Sequence, residues 1–125
     1  MISKLKGKID NIDKNFLVLD VNGVGYKIYC SSNTLKNYNS IASEVTIETE
    51  LIVKEDSLTL YGFVDSLERD WFNLLQSVQG VGAKASLALL SSLDSTQLSQ
   101  AISSDDKSMI TRAEGVGSKL AGRIL

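Results

Sequence analysis

The spacing of apolar residues changes once along this 125-residue chain, near residue 64, and that change demands a fold in two parts. Before it, Val45, Ile47, Thr49, Leu51 and Val53 share one parity while Thr46, Glu48 and Glu50 take the other. Such period-two alternation belongs to a half-buried antiparallel strand. Phe16–Val21 and Gly25–Cys30 read as two further strands joined by Asn22-Gly23, a pair that accepts the positive φ required at both positions of a tight hairpin turn. Ile2–Ile12 opens the sheet and Leu58–Phe63 ends it. Five or six short strands in this span predict a small β barrel, because closure removes exposed strand edges.

After Phe63 the spacing turns helical. Asp65, followed three residues later by Glu68, fits a capping pattern, and Leu67, Trp71, Leu74, Leu75 and Val78 follow at helical intervals. Residues 84–93 predict a second helix, Asp94 with Gln97 marks the start of a third, and Ser104 that of a fourth running to Ala113. The expected organisation is a barrel over residues 1–64 and an all-α domain over 65–125. Each half is small: a domain of about 60 residues buries only roughly 60% of its unfolded surface.

The residue inventory removes several chemistries. Histidine is absent, so Ser-His-Asp triads, Cys-His dyads and His-ligated metal sites cannot form within one chain. Cys30 is the only cysteine, which excludes an internal disulfide or CxxC zinc ligation. Its place at the end of a strand reads as a buried thiol. Apolar runs such as Leu51–Val53 and Leu87–Leu90 fall far short of the roughly 20 residues that span a bilayer. Met1–Lys6 lacks the apolar core of a signal peptide, so a soluble cytoplasmic protein is expected. The net charge is −2, divided as seven basic against nine acidic residues through Asp65 and six against six beyond it. No global cationic field results, and any grip on nucleic acid must come from local geometry.

The helical half carries a duplication that could supply that geometry. Leu74–Lys84 aligns with Met109–Lys119 at an offset of 35 residues. Each copy is an apolar helix end, Gly-Val-Gly, a small residue, a lysine, and then another helix. The first glycine suits a helix C-terminus with positive φ. The second lets a partner approach the backbone with no Cβ in the way. Valine between them can pin the hairpin to the core, and the following helix opens with free N–H groups that attract an anion. This is the layout of a helix-hairpin-helix, which holds a DNA phosphate with backbone amides. The bland alternative is a pair of glycine-capped helix turns without a ligand; the repeated small-Lys tail favours phosphate. Neither copy is a P-loop, since G-x-x-x-x-G-K-[ST] is missing, and neither follows a strand as a dinucleotide fingerprint would.

Lys54-Glu55-Asp56-Ser57 falls at the tip between the last two strands. Charged residues ordinarily populate such turns. The functional alternative is an acidic prong that repels phosphates. A metal nuclease built on Glu55 and Asp56 lacks a third carboxylate at local spacing.

Across nearly its whole length the chain resembles the RuvA family, which recognises Holliday junctions in bacterial branch migration during recombination and repair. The resemblance lies in Met1-Ile2 with Leu5, Gly7 and Ile9; in Val21 with Gly23-Val24-Gly25-Tyr26; and in Glu55-Asp56 followed by Leu60-Tyr61-Gly62-Phe63. It continues through Glu68, Phe72 and both hairpins, the second with Ala121 and Arg123. It implies an OB-fold barrel, two helix-hairpin-helix motifs and a homotetramer, one or two per junction, that holds a four-way DNA junction open. It further implies that Gly80, Val81, Gly82, Ala83 and Lys84 grip one phosphate backbone. Gly115, Val116, Gly117, Ser118 and Lys119 would grip another, supported by Arg123. Glu55 and Asp56 would form an acidic pin at the crossover. No catalytic residue, metal or cofactor is implied; a RuvB motor would hydrolyse ATP and a RuvC nuclease would resolve the junction.

Departures from the family pattern are expected to matter. Glu114 stands where proline is common, Ser118 where a basic residue is common, and Ala83 where proline is common. The second hairpin is therefore expected to grip more weakly. The chain also stops at Leu125 inside an expected helix, whereas the family continues through a linker to a motor-binding domain; a fragment is expected. The rival reading is a generic OB and helix-hairpin-helix module that binds duplex or single-stranded DNA without junction preference. A helix-hairpin-helix glycosylase or nuclease is the enzymatic alternative, and it would need a catalytic carboxylate beyond its hairpin.

Overall fold

The structure, a computed structural model, describes residues 1–38 and 42–125. The chain divides into two compact units, Met1–Arg69 and Asp70–Leu125. The division falls inside a helix rather than at residue 64, because the first turn of that helix is tied to the barrel.

The first unit holds β1 (Lys4–Ile12), β2 (Phe16–Val21), β3 (Val24–Cys30), the short helix α1 (Ser32–Leu35), β4 (Glu44–Lys54) and β5 (Ser57–Phe63). The strands close in the order β1-β2-β3-β5-β4. Every neighbouring pair is antiparallel except β3 with β5. A five-stranded barrel with that order is an OB-fold. Asn22 (φ 52°) and Gly23 (φ 89°) make the tight turn between β2 and β3, with Val21 paired to Val24. The alternation in β4 puts Ile47 and Thr49 inside, where Ile47 joins Ile9, Leu17, Leu19, Ile28 and Cys30 in the core. Gly62 completes that packing by omission, since a Cβ there would lie 2.5 Å from Ile28 Cγ2 and 2.9 Å from Ile47 Cγ2.

Helix α1 is not visible in the apolar pattern. Ser31 caps it by accepting from the Thr34 N–H at 3.1 Å, and the cap is buried together with Thr34 and Glu68. The Glu68 carboxylate accepts from Ser31 Oγ at 3.0 Å, from Thr34 Oγ1, and from the Val64 N–H at 3.1 Å. Donors to a buried carboxylate offset its desolvation cost. Half of the expected capping pattern therefore forms: Asp65 Oδ1 accepts from the Glu68 N–H at 2.8 Å, while the Glu68 side chain turns to α1.

Helix α2 (Ser66–Gln76) runs from the first unit into the second. Its buried face is Glu68, Phe72 and Leu75, at intervals of four and three. Leu67 and Leu74, read from their spacing alongside those residues, are instead 54% and 59% exposed. The second unit continues with α3 (Ala83–Ser92), α4 (Ser95–Ser103), α5 (Lys107–Thr111) and α6 (Ser118–Ile124). Asp94 and Gln97 form a complete capping box at the start of α4, with bonds of 2.8 and 3.0 Å. Ser104 does not start the next helix. It ends α4, donating its N–H to Gln100 O; the chain reverses at Asp105 (φ 55°), and Asp106 caps α5 by accepting from the Met109 N–H. Leu89, Leu90, Leu93, Leu98, Ala101, Ile110 and Ala121 are buried in this unit. No described helix is long and apolar enough to cross a membrane.

Candidate nucleic-acid interface

The duplication in sequence is a duplication of bonding. In the first hairpin Gly80 takes φ 88°, the Val81 N–H donates to Val78 O at 3.0 Å, and the Ser86 N–H closes α3 onto Gly82 O at 3.0 Å. In the second, Gly115 takes φ 80°, the Val116 N–H donates to Ala113 O at 3.1 Å, and the Ala121 N–H closes α6 onto Gly117 O at 2.9 Å. Val81 and Val116 point inward, 5% and 4% exposed. The left-handed glycine is what lets the chain reverse after each helix.

Gly82 and Gly117 are N-caps in extended conformation, φ −97° and −89°, and neither helix has a side-chain cap. The amides of residues 83–85 and 118–120 precede the first helical acceptor, so each helix begins with donors that have no helical carbonyl to meet. A Cβ built on Gly82, Gly115 or Gly117 would meet nothing within 4 Å. The hairpin edges are thus open, and the Lys84 and Lys119 side chains beside them are exposed. Ala83 is buried, which leaves its amide as its only offering; Ser118 is exposed. Ser86 escapes motif reading, yet its hydroxyl donates to Gly82 O at 2.9 Å and steadies the first edge.

Gly82, Lys84, Ala85 and Ala88 share a groove of about 400 Å³ with Glu114 and Gly115. The two hairpins therefore edge one surface of the second unit. Glu114 brings a carboxylate to that groove, which lowers its attraction for phosphate. Arg123 is exposed, but its Nη1 donates to Gln79 O, 3.4 Å away, in the other hairpin.

Glu55 and Asp56 form the two-residue turn between β4 and β5, where Lys54 pairs with Ser57. Both acids are exposed, as are the flanking Val53 (61%) and Leu58 (72%). This acidic tip belongs to the first unit and the hairpins to the second. Among the described residues no group of three or more His, Cys, Asp or Glu is arranged to hold a metal ion.

Two other barrel features bear on chemistry. Burial, reinforced by the nearby Glu68 charge, pushes the Cys30 thiol up from 9.0 to about 12, so it is a protonated packing group rather than a nucleophile. On the outer wall, Phe16, Tyr29 and Tyr61 stand side by side across β2, β3 and β5. Their centroids are 5.9 and 6.2 Å apart, and Lys27 Nζ lies 4.3 Å over the Phe16 ring. The rings meet edge-on or tilted, and Lys27 lies over the faces of Phe16 and Tyr29, as in other cross-strand aromatic pairs.

An OB-fold barrel followed by paired glycine hairpins with open amides defines a barrel and helix-hairpin-helix protein. Residues 1–62 match the family described as RuvA N terminal domain, and residues 72–125 the SAM-like helix-hairpin-helix tandem family. Over all 125 residues the chain is 51% identical to a protein of Agrobacterium fabrum and 52% identical to proteins of Sinorhizobium fredii and Rhizobium meliloti. Each is named as Holliday junction branch migration complex subunit RuvA, and the chain spans 61% of the length of each. The chain belongs to the RuvA family.

Proposed function

We propose that the chain binds four-way DNA junctions by their phosphates, without regard to base sequence, and serves as a platform for branch migration. The observation that carries this reading is the bond-for-bond repetition of the two hairpins, with Gly82 and Gly117 both open to approach. Backbone amides and lysines on phosphates carry no base code. In this reading Gly80–Lys84 and Gly115–Lys119 hold the strands of one arm. Four copies form a closed ring, one identical patch per arm, because a four-armed substrate matches fourfold symmetry. Glu55 and Asp56 then gather near the crossover, where they keep phosphates apart. The chain does no covalent chemistry itself; an ATPase of the RuvB kind moves the arms and a RuvC nuclease cuts the junction. The work is cytoplasmic.

The test compares affinity for a four-way junction with that for a linear duplex of the same arm sequence. The junction should win, binding should ignore arm sequence, and log K should fall by about 0.9 per neutralised phosphate as log salt rises. A duplex that competes equally well would leave only a generic DNA-binding module. Sedimentation of the bound chain should show four copies on one face of the junction or eight on both; a single copy would remove the ring.

A further inference from the structure

The two hairpins are bonded alike but buttressed differently, and Arg123 is the difference. Arg123 lies on α6, the helix that follows the second hairpin, four residues beyond Lys119. Its Nη1 donates to Gln79 O, 44 residues away, and stands 3.0 Å from where a Gly80 Cβ would be, with Leu120 Cδ1 at 3.4 Å. The corresponding Gly115 has nothing within 4 Å of that position. Gln79 lies beyond the end of α2, in the bend itself, and the Val81 N–H bonds to Val78 O rather than to Gln79 O. The guanidinium is the donor that meets this carbonyl.

We infer that Arg123 serves DNA binding through the first hairpin: it is a positioning residue that clamps the Gln79–Gly80 bend to α6 and so holds the first amide edge in place. The clamp matters because the first edge must already be set when a phosphate reaches it. A first hairpin free to drift would pay an ordering cost at binding that the braced one has already paid. A Cβ at Gly80 would also crowd the guanidinium, which would have to give by a few tenths of an ångström. The inference rests on the phosphate-gripping reading, with Arg123 acting on the protein rather than on the DNA.

The test is a double-mutant cycle on junction binding, joined to an experiment without DNA. Arg123→Met should weaken junction binding about fivefold, the scale of one surface hydrogen bond. Gly82→Val blocks the first edge and Gly117→Val the second. In the Gly82→Val chain, Arg123→Met should cost less than about twofold, whereas in the Gly117→Val chain it should still cost about fivefold. In the free protein, Arg123→Met should speed amide exchange at Val81, whose N–H is bonded to Val78 O, while leaving Val116 unchanged. A cost that survives in Gly82→Val, or vanishes in Gly117→Val, would make Arg123 a direct phosphate contact and overturn the inference. Unchanged exchange in the first hairpin would overturn it as well. If the parent chain binds no junction, the functional reading fails by itself, and the exchange experiment still decides whether the clamp exists.

Discussion

The four hairpin glycines should separate into two pairs when replaced, one failing in stability and the other in binding. Gly80 and Gly115 hold φ of 88° and 80°, a region that costs a side-chain-bearing residue about 1–2 kcal/mol. Gly80→Ala and Gly115→Ala should therefore each lower the melting temperature, at roughly 4–8 °C per kcal/mol for a domain of this size. Gly80→Ala should lose more, because its Cβ would also lie 3.0 Å from Arg123 Nη1. Gly82 and Gly117 are different. Their backbones are extended, at φ −97° and −89° with ψ −174° and −178°, a conformation that β-branched residues accept. Nothing lies within 4 Å of their Cβ positions. Gly82→Val and Gly117→Val should leave stability within about 0.5 kcal/mol.

The binding cost of those two changes follows from what the side chain would cover. A hydrogen bond to a charged group contributes about 1.5–3 kcal/mol, so denying a phosphate one such bond predicts a loss of about ten- to a hundredfold. Thermal melts and fluorescence anisotropy on a labelled four-way junction read the two effects separately. If Gly82→Val and Gly117→Val melt normally and bind the junction as the parent does, the amide edges do not touch phosphate and the reasoning fails.

The acidic turn predicts a change of opposite sign. Glu55→Gln combined with Asp56→Asn should tighten junction binding and narrow the preference for junction over duplex. That gain should shrink with added salt, since screening is strong beyond about 8 Å at physiological ionic strength; anisotropy showing no change at any salt would reduce the tip to an ordinary charged turn. The barrel should also be sensitive to alkali. Burial raises Cys30 from 9.0 and Tyr38 from 10.0, each to about 12, so above pH 9 the unfolded chain releases protons that the folded chain keeps. Stability is then full below pH 9 and lost as pH rises toward 12. Denaturant midpoints at a series of pH values across that window check it, and a flat profile would refute it.

What could be read from the sequence is what depends on near neighbours. The parity of β4 follows from Val45 to Val53 alone, and the Asn22-Gly23 turn announces itself in two residues. The capping box of Asp94 and Gln97 spans three. The hairpins were legible because they occur twice, so each copy vouches for the other. Helix α1 was not legible, since Ser31 and Thr34 owe their burial to Glu68, which lies 37 and 34 residues away. Ser104 misled because serine suits a helix N-cap in general, while the neighbouring Asp105 and Asp106 decided where the turn fell. Leu67 and Leu74 show that helical spacing names a set of faces without saying which one is covered. The asymmetry between Gly80 and Gly115 was hidden for the same reason as α1: it depends on Arg123, 44 residues from the carbonyl it meets.

A net charge of −2 makes the geometry of the hairpins more than a detail. A protein that attracts DNA through a broad cationic field binds wherever phosphates are, and linear duplex is plentiful. On the proposed reading, the acids at Glu55, Asp56 and Glu114 would oppose such indiscriminate attachment, and the attraction would be confined to two amide edges and their lysines. One hairpin pair on one duplex should then hold weakly. Joined copies that engage several arms convert later contacts into intramolecular ones, whose effective concentration raises total affinity without any new kind of contact. That gain is available only where the arms radiate in the geometry of the copies. A weak single grip would therefore be part of the proposed selectivity, because added cationic field would strengthen duplex and junction binding together, whereas avidity would strengthen only the branched form.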